Sequence, residues 1–353
     1  MHPRPTFLVF VALLPAAAGC REDAASPTEP TTARPAPASG LAVASDTWIT
    51  RRDLETDQYT DFATATVTDA SGRSVLYVIG GRAGNLSPFT ESGLAKVRAY
   101  DVAMNRWTVR ASLPEQLHST NGAGVINGKI YVSGGLRRRK YFRDALYAYD
   151  PATNTWASKR SLPITGYRGI SGVIDGKLYV VTSCHWQEDC LYYGDYRLPP
   201  GHTDLWLFRY DPRTDTWTEL AIPPGLFGPG MGGTIGGKLY VGNGQSSTLL
   251  VYDPATNTWA ERPTPRALRY GAAFATLGAR LYMIGGVRIN ADETYSAVRA
   301  TNAYDPATNT WINLAPLPTA RSWVAADRVV VNGEPRIELV GGARPGNNLQ
   351  YVP

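Results

Sequence analysis

Hydrophobic and polar positions alternate in short runs along this 353-residue chain, and no stretch beyond the first twenty residues keeps a helical apolar period. A six-residue apolar string recurs instead. It reads LYVIGG to Gly81, IYVSGG to Gly135, LYVVTS to Ser183, LYVGNG to Gly244, LYMIGG to Gly286 and IELVGG to Gly342. Alternating β-branched and aromatic residues before a glycine pair predict a strand that ends in a turn. The pattern therefore predicts an all-β fold made of repeated units.

A second motif alternates with these strings. The octet YDPATNTW begins at Tyr149, Tyr252 and Tyr304, and looser copies begin at Tyr100 and Tyr210. Asp-Pro predicts a turn after a strand, and Asn tolerates a left-handed backbone before Trp resumes the next strand. The repeat period, about fifty residues, is given by Trp48, Trp107, Trp156, Trp217, Trp259 and Trp311. We interpret the octet as an outer structural turn rather than a ligand site.

A diglycine after a hydrophobic strand, followed by a Tyr…Trp pair, resembles the kelch repeat over residues 46–353. The resemblance implies a six-bladed kelch-type β-propeller, although Thr182-Ser183 and Asn243-Gly244 depart from the diglycine. The first Trp strand lacks its Tyr, and the last Tyr strand lacks its Trp. We therefore predict that residues 322–353 supply three strands of the last blade and residues 46–51 its outer fourth.

The N-terminus predicts export. Residues 1–19 carry a basic start, an apolar stretch and small residues, as a signal peptide does. The ending Ala-Ala-Gly-Cys resembles the lipobox of bacterial lipoproteins, which implies lipidation of Cys20, although Ala17 stands where Leu is usual. The alternative is an ordinary secretory signal cut nearby. The composition of residues 20–44 predicts a disordered tether, and we expect residues 45–353 to form the propeller. We expect an exported, lipid-anchored protein of the cell envelope, in the periplasm or at the outer membrane.

Composition adds little about partners. The net charge is +5, but 29 Arg against 6 Lys is an imbalance that base composition of the gene explains as well as phosphate binding does. We therefore expect no nucleic-acid partner. The expected partners are an unknown envelope protein or glycan and, through the lipid, a membrane, and we expect a monomer.

In a four-stranded blade with strands A to D, the B–C and D–A loops share one face, and these loops vary most in length here. In the kelch family this is the usual ligand face. The variable loops are residues 136–143 (LRRRKYFR), 184–204 and 223–233. Arginine beside aromatic rings suits carboxylates and sugars, although solvated surface charge stays the alternative. The candidate ligand-binding residues are Tyr59, Arg82, His118, Arg137, Arg138, Arg139, Tyr167, Arg168, Arg269, Tyr270, Arg288, Arg321, Trp323 and Arg344.

Cys184 and Cys190 remain after Cys20. An even pair in an exported domain predicts a disulfide. A metal site with His185, Asp189 and His202 is the alternative, but the spacing matches no familiar zinc motif. We predict neither a metal nor a cofactor.

The sequence favours a binding module for a protein or an anionic glycan. The alternative is a sugar-modifying enzyme resembling the kelch sialic-acid mutarotase, and a structural part of an envelope complex is a third possibility. A kelch copper oxidase would need two His and two Tyr around the metal, which the loops do not supply. Four residues are open as general acid or base for the enzyme: Glu91, Asp189, His118 and Glu293. No catalytic residue is assigned.

Overall fold

The computed structural model describes residues 46–54, 59–83, 93–137, 141–183, 205–224, 231–242, 248–265, 268–290, 292, 294–342 and 348–353. This part of the chain is built from β-strands and turns. No helix in these ranges is long and apolar enough to cross a membrane.

Six antiparallel sheets of four strands form the six blades of a propeller, as the sequence predicted. Strands A to D of blade 1 are β3 (Ala63–Thr68), β4 (Ser74–Ile79), β6 (Val97–Asp101) and β7 (Arg106–Arg110). Those of blade 2 are β8 (Ala123–Ile126), β9 (Lys129–Leu136), β10 (Phe142–Asp150) and β11 (Thr155–Lys159). Those of blade 3 are β12 (Tyr167–Ile174), β13 (Lys177–Ser183), β14 (Leu205–Asp211) and β15 (Thr216–Glu219).

The other three blades follow the same order. Blade 4 contains β16 (Met231–Ile235), β17 (Lys238–Gly242), β18 (Leu249–Asp253) and β19 (Thr258–Arg262). Blade 5 contains β20 (Ala273–Leu277), β21 (Arg280–Ile284), β24 (Thr301–Asp305) and β25 (Thr310–Leu314). Blade 6 contains β26 (Val324–Val331), β27 (Glu334–Gly341), β28 (Leu349–Val352) and β1 (Thr47–Thr50). Two short pairs lie in loops: β2 (Tyr59–Thr60) with β5 (Arg82–Ala83), and β22 (Val287–Ile289) with β23 (Tyr295–Ala297).

The N-terminal strand closes the ring, which confirms the closure prediction. β1 pairs with β28 as the outer strand of blade 6, and Trp48 lies opposite Tyr351. Arg51, the residue after β1, binds to blade 1. It donates hydrogen bonds to the Tyr100 hydroxyl at 3.2 Å and to the Val102 carbonyl. Joining both ends of the chain in one blade leaves no open sheet edge at the seam.

The core lies between neighbouring blades. Each adjacent pair of sheets encloses an apolar cluster; the seam between blades 6 and 1, for example, buries Val78, Val329 and Val340. This packing explains why strands B and C read as nearly continuous apolar runs: both faces of each sheet are covered.

The octet holds its own turn together. Its Tyr hydroxyl donates to the side-chain oxygen five residues later, as in Tyr149 to Asn154 at 2.7 Å, and Asn154 adopts a left-handed φ of +56°. The bond recurs in all six blades, and in blade 6 Asp46 of the truncated copy accepts it from Tyr351 at 2.8 Å. The Tyr ring is buried in each case.

The octet also ties each blade to the one before it. The Trp156 Nε1–H donates to the Ala111 carbonyl at 2.9 Å, and the Ala111 N–H donates to Asn154 Oδ1 at 2.9 Å. Trp48, Trp107, Trp217, Trp259 and Trp311 donate to the equivalent carbonyl of the preceding blade. The octet is therefore a blade-to-blade clamp, as its structural interpretation requires.

The octet lies on the face of the A–B turns. Its Asp pairs with a basic residue that follows the A–B turn, as in Lys129 Nζ to Asp150 Oδ2 at 2.9 Å and Lys238 Nζ to Asp253 Oδ2 at 2.7 Å. The B–C and D–A loops consequently lie on the opposite side, which we call the loop face.

Candidate functional site

Five residues on the loop face lead into each inner strand, and we call these segments the mouth pentads. The described ones are residues 59–63, 117–121, 166–170, 269–273 and 321–325, and the corresponding segment of blade 4 is not fully described. They surround the mouth of the central channel, because the inner strands contact each other in circular order around the axis.

The diglycine motif holds the pentads in place. The N–H of the second glycine donates to the carbonyl of the first pentad residue of the next blade, as in Gly81 to Leu117 at 2.8 Å and Gly342 to Tyr59 at 3.0 Å. The first glycine has a left-handed backbone, with φ +66° at Gly80, and a Cβ there would lie 2.5 Å from the Leu117 carbonyl oxygen. Only glycine fits this close approach.

The third residue of every described pentad has a left-handed backbone. These residues are Asp61 (φ +57°), Ser119 (+49°), Arg168 (+50°), Gly271 (+64°) and Trp323 (+59°). Their backbones join: Ser119 N donates to Asp61 O, Arg168 N to Ser119 O, and Trp323 N to Gly271 O, each at 2.7 Å. Left-handed conformations of residues other than glycine are strained, and such strain concentrates at functional sites. One repeated backbone position thus carries a carboxylate, a hydroxyl, a guanidinium and an indole.

Arg168 lies at the centre of the mouth. Its Nη2 is 3.7 Å from Asp61 Oδ1, and its Nη1 donates to the Tyr270 hydroxyl at 3.2 Å. Its guanidinium carbon lies 5.8 Å from the centre of the Trp323 ring, which meets the Tyr270 ring edge-on at 4.8 Å. Because Arg168 leads into blade 3 and Trp323 into blade 6, on opposite sides of the ring, these contacts cross the axis.

Asp61 anchors the arginines. Its Oδ2 accepts a hydrogen bond from Arg82 Nε at 2.5 Å, and only 6% of its side chain is exposed. Burial alone would raise the pKa of Asp61, but the charges of Arg168 and Arg82 and the Arg82 hydrogen bond outweigh it and lower the pKa. Asp61 is therefore a carboxylate at neutral pH that holds two guanidinium groups.

His118 lies beside this group. Burial, with the charges of Arg82 and Arg168, lowers its pKa to about 4, although Asp61 acts in the opposite direction. Its Nδ1 shares a hydrogen bond with Ser119 Oγ at 3.0 Å, and its buried Nε2 has no partner among the described residues. With His118 neutral, the described charged groups of this cluster, two arginines and one aspartate, sum to one positive charge.

The comparisons with known proteins agree with the repeat. Residues 119–163 and 269–318 each match a model of the kelch motif. This chain carries kelch motifs on a six-bladed β-propeller. It is 30% identical to the kelch-like protein terF of Aspergillus terreus over 261 residues, which are 70% of this chain and 54% of that protein.

Other similar proteins align over shorter stretches. Human Kelch-like protein 34 is 30% identical over 136 residues, 37% of this chain and 18% of that protein. Beta-scruin of Limulus polyphemus is 34% identical over 96 residues, 25% of this chain and 10% of that protein. The chain thus spans about half or less of the length of these relatives. Among solved structures, that of YjhT matches 85% of this chain and 95% of its own, with a TM-score of 0.61 and 16% identity, a likeness of fold.

The kelch propeller brings five predicted residues together at the mouth: Arg82, His118, Arg168, Tyr270 and Trp323. Arg137, Tyr167, Arg288 and Arg321 lie around them on the loop face; Arg137 and Arg288 are exposed, the Tyr167 ring packs on Phe142 at 5.0 Å, and Arg321 is 9% exposed. Arg138, Arg139, Arg344, Cys184 and Cys190 fall outside the described residues, so their ligand-binding and disulfide roles stay predictions, as does the lipidation of Cys20.

Two of the predicted ligand-binding residues use their polar groups for hydrogen bonds inside the fold. Arg269 donates to the carbonyls of Gly285, Met283 and Ala300 and to the Asn302 side chain at 2.5–3.1 Å. Tyr59 is 2% exposed and donates to the Gly80 carbonyl. Both brace the blades, and we leave them out of the site that we propose.

Sequence reasoning missed Asp61 and Ser119, although a signal for them exists. Aligned on the repeat, the pentads read YTDFA, LHSTN, GYRGI, RYGAA and RSWVA, and the third letter is the left-handed position. The missed residues occupy the same place as Arg168 and Trp323, which were predicted.

A cleft of about 400 Å³ lies on the other face, between blades 3 and 4. It is lined by octet and A–B turn residues, including Lys177, Lys238 and Asp253. These charged groups already pair with one another or with neighbouring turns, so the cleft follows from the repeat's own architecture and we place no site there.

Proposed function

We propose that this kelch propeller is an exported binding module that takes a carboxylate-bearing protein or glycan ligand at the mouth. The observation that carries the proposal is the ring of left-handed third positions. The five blades described at this position share one backbone plan, yet their side chains differ, as residues selected for a ligand do. Kelch propellers typically bind proteins, which supports the same class of function.

Electrostatics supports an acidic ligand. Asp61 neutralises one positive charge, and Arg82 and Arg168 carry two. About 30% of the Arg168 side chain is exposed, against 11% for Arg82, so Arg168 is the group that reaches solvent. A guanidinium backed by Tyr270 and Trp323 offers forked donors to a carboxylate and aromatic surface to the carbon atoms beside it.

The test compares Arg168→Gln with Arg213→Gln. Arg213 is 80% exposed on the octet turn of blade 3, on the other face. Arg213→Gln therefore removes the same positive charge as Arg168→Gln, but at a place distant from the mouth. Binding of sialic acid, a uronic acid and acidic peptides is measured by thermal shift and by fluorescence anisotropy. We expect a carboxylate probe to bind, Arg168→Gln to weaken it at least about tenfold, and Arg213→Gln to leave it unchanged. Equal weakening by both variants would assign the binding to overall charge and refute the mouth.

A sugar-modifying enzyme is the second candidate. The observation that favours it is neutral His118 beside Asp61, because an unprotonated imidazole can accept a proton, although a pKa of about 4 makes it a weak base. His118 is 1% exposed, however, which places it behind the mouth surface and favours binding. Anomer exchange of sialic acid followed by NMR decides: exchange that is lost in His118→Gln would support the enzyme.

We also propose that Cys20 carries the lipid and residues 20–44 the tether, on the strength of the Ala-Ala-Gly-Cys ending and the Pro-rich composition. Fractionation of a Cys20→Ser chain is the test. We expect the parent protein in the membrane fraction and the variant in the soluble fraction. A variant that stays with the membrane would rule out this anchor.

A further inference from the structure

The B–C loop of blade 5 carries a small hairpin that the repeat does not require. Its strands β22 and β23 pair in the register Val287 to Ala297, Arg288 to Ser296 and Ile289 to Tyr295. Ile289 is 54% exposed and Tyr295 is 48% exposed. Because residues directly opposite in an antiparallel pair project from the same side, about 5 Å apart, these two form one exposed apolar patch.

Such a pair is unusual in the described part of this chain. The other exposed large apolar side chains there are Met104, Val109, Tyr141 and Ile312. Met104 lies on a C–D turn, and Val109 and Ile312 lie on the outer strands β7 and β25 of different blades. Exposed apolar residues that occur singly need no explanation, whereas paired ones on a projecting element indicate a contact surface.

The hairpin is joined to the mouth. The Val287 N–H donates to the Tyr270 carbonyl at 2.8 Å, and the Tyr270 hydroxyl is the group that accepts from Arg168. At the other end, Val298 N donates to Gly286 O at 2.9 Å. The base of the hairpin is therefore bonded to the segment that carries Tyr270, and the hairpin and the mouth share the loop face.

The hairpin is also held in shape near its tip. Asn290 N donates to the Thr294 carbonyl at 2.9 Å, and Asn290 Nδ2 donates to Thr294 Oγ1 at 2.9 Å and to Ser296 Oγ at 2.8 Å. A pre-ordered element loses less conformational entropy when a partner binds. This supports a role in recognition rather than in folding, since β22 and β23 lie outside the six blade sheets.

We infer that the hairpin and the mouth together form a docking surface for a protein, namely an exposed segment that presents an apolar side chain beside a carboxylate. This inference rests on the proposed function of the mouth. The carboxylate matches the net positive charge around Arg168, and the apolar side chain covers Ile289 and Tyr295. A sugar ligand would engage the mouth and leave the hairpin uncovered. Of the two ligand classes proposed above, the exposed apolar pair on the hairpin therefore favours a protein.

The test uses short synthetic Ser/Gly peptides in which one Glu and one Leu are placed at varied spacings, with matched peptides that carry only the Glu or only the Leu. Binding is measured by fluorescence anisotropy. We expect peptides with both residues to bind the parent protein about tenfold more tightly than peptides with the Glu alone. The double variant Ile289→Ser with Tyr295→Ser removes that advantage and keeps the weak binding of Glu-only peptides.

The matched control is Val109→Ser with Ile312→Ser, which removes two exposed apolar side chains from the outer strands. It leaves binding unchanged if the inference is right. Thermal melting checks that all variants are folded. If Leu adds nothing, or the hairpin variant binds like the parent, the hairpin inference is wrong while the mouth still stands. If the parent protein instead binds peptides equally well with and without the Glu, the proposed function is wrong.

Discussion

The octet turns and the mouth pentads repeat the same backbone around the ring, but their side chains behave in opposite ways. In the octet the Tyr hydroxyl and the Trp Nε1–H make the same hydrogen bonds in every blade. In the pentads the third position keeps its left-handed φ while its side chain changes from Asp61 to Ser119, Arg168, Gly271 and Trp323. Each octet meets equivalent neighbours, whereas the pentad side chains converge on one axis. Uniformity thus marks the part that holds blades together, and variation marks the part to which we assign the proposed ligand site.

The largest effect that this comparison predicts comes from the sixth, split octet. A chain that begins at residue 55 lacks β1, and with it the bonds of Asp46 and Trp48 to Ala315. We expect loss of the cooperative melting transition or a fall of more than about 10 °C in its midpoint. A chain that begins at residue 45 removes only the N-terminal region and serves as the control. Equal midpoints for the two would show that β1 does not close the ring.

A substitution within one intact octet should cost less and leave the mouth alone. Trp156→Ala removes a ring packed on Tyr149 at 4.9 Å and the hydrogen bond to Ala111, so we expect a loss of about 2–3 kcal/mol in the free energy of unfolding. Ligand binding stays unchanged. Trp323→Ala, the corresponding change in a pentad, is expected to cost less than about 1 kcal/mol and to weaken binding. Urea unfolding measures the stability of the two variants and fluorescence anisotropy their ligand binding. If Trp323→Ala cost more stability than Trp156→Ala, or Trp156→Ala weakened binding more, the contrast between octet and pentad would be wrong.

The pentads also predict a pH dependence between about pH 4 and 6.5, whereas the lowered pKa values of the octet aspartates act at more acidic pH. The folded state lowers the pKa of His118 to about 4 from an ordinary value of 6.5. Between these values the unfolded chain binds a proton that the folded chain does not, so the contribution of His118 to stability falls as the pH drops from about 6.5 to about 4. Buried Glu338, whose pKa is raised to about 8, contributes in the opposite direction, so the His118 part is measured as a difference between variants. The expected size is on the order of 2–3 kcal/mol.

His118→Gln should remove the His118 contribution, which is measured as the change in slope relative to the parent protein by urea unfolding at a series of pH values. Trp156→Ala should lower the whole curve and keep its slope. The pKa of Asp61 is lowered, so its own contribution is lost only at more acidic pH. A slope that survives in His118→Gln would mean that another group controls it.

The smallest predicted effect distinguishes two copies of the same octet. Asn154 accepts from both the Tyr149 hydroxyl and the Ala111 N–H, whereas the residue that faces Asn309 at the equivalent place is Pro263, which has no N–H. Asn309→Ala should therefore cost about 1 kcal/mol less than Asn154→Ala. Both residues are left-handed, so backbone strain cancels in the difference. Equal costs in urea unfolding would show that the inter-blade bond adds nothing.

The amino-acid sequence by itself determined the repeat, the number of blades and the closure by the N-terminal strand. These follow from local rules: alternation predicts strands, Asp-Pro and Asn predict the turn, and a missing Tyr at one end matches a missing Trp at the other. It also placed Arg82, Arg168, Tyr270 and Trp323 on the right face, because the loops of a four-stranded blade alternate between the two faces and the variable loops share one of them.

Only the tertiary structure decided which of those residues act together. Arg168 meets Asp61 and Trp323 because closure of the ring brings the starts of blades 1, 3 and 6 to one axis, which no local pattern encodes. Hydrogen bonds within single blades turn Arg269 and Tyr59 inward, although in sequence these residues look like their neighbours in the mouth. Residue type and position on a loop follow from the chain, whereas Arg168 meets its partners through contacts with segments more than a hundred residues away.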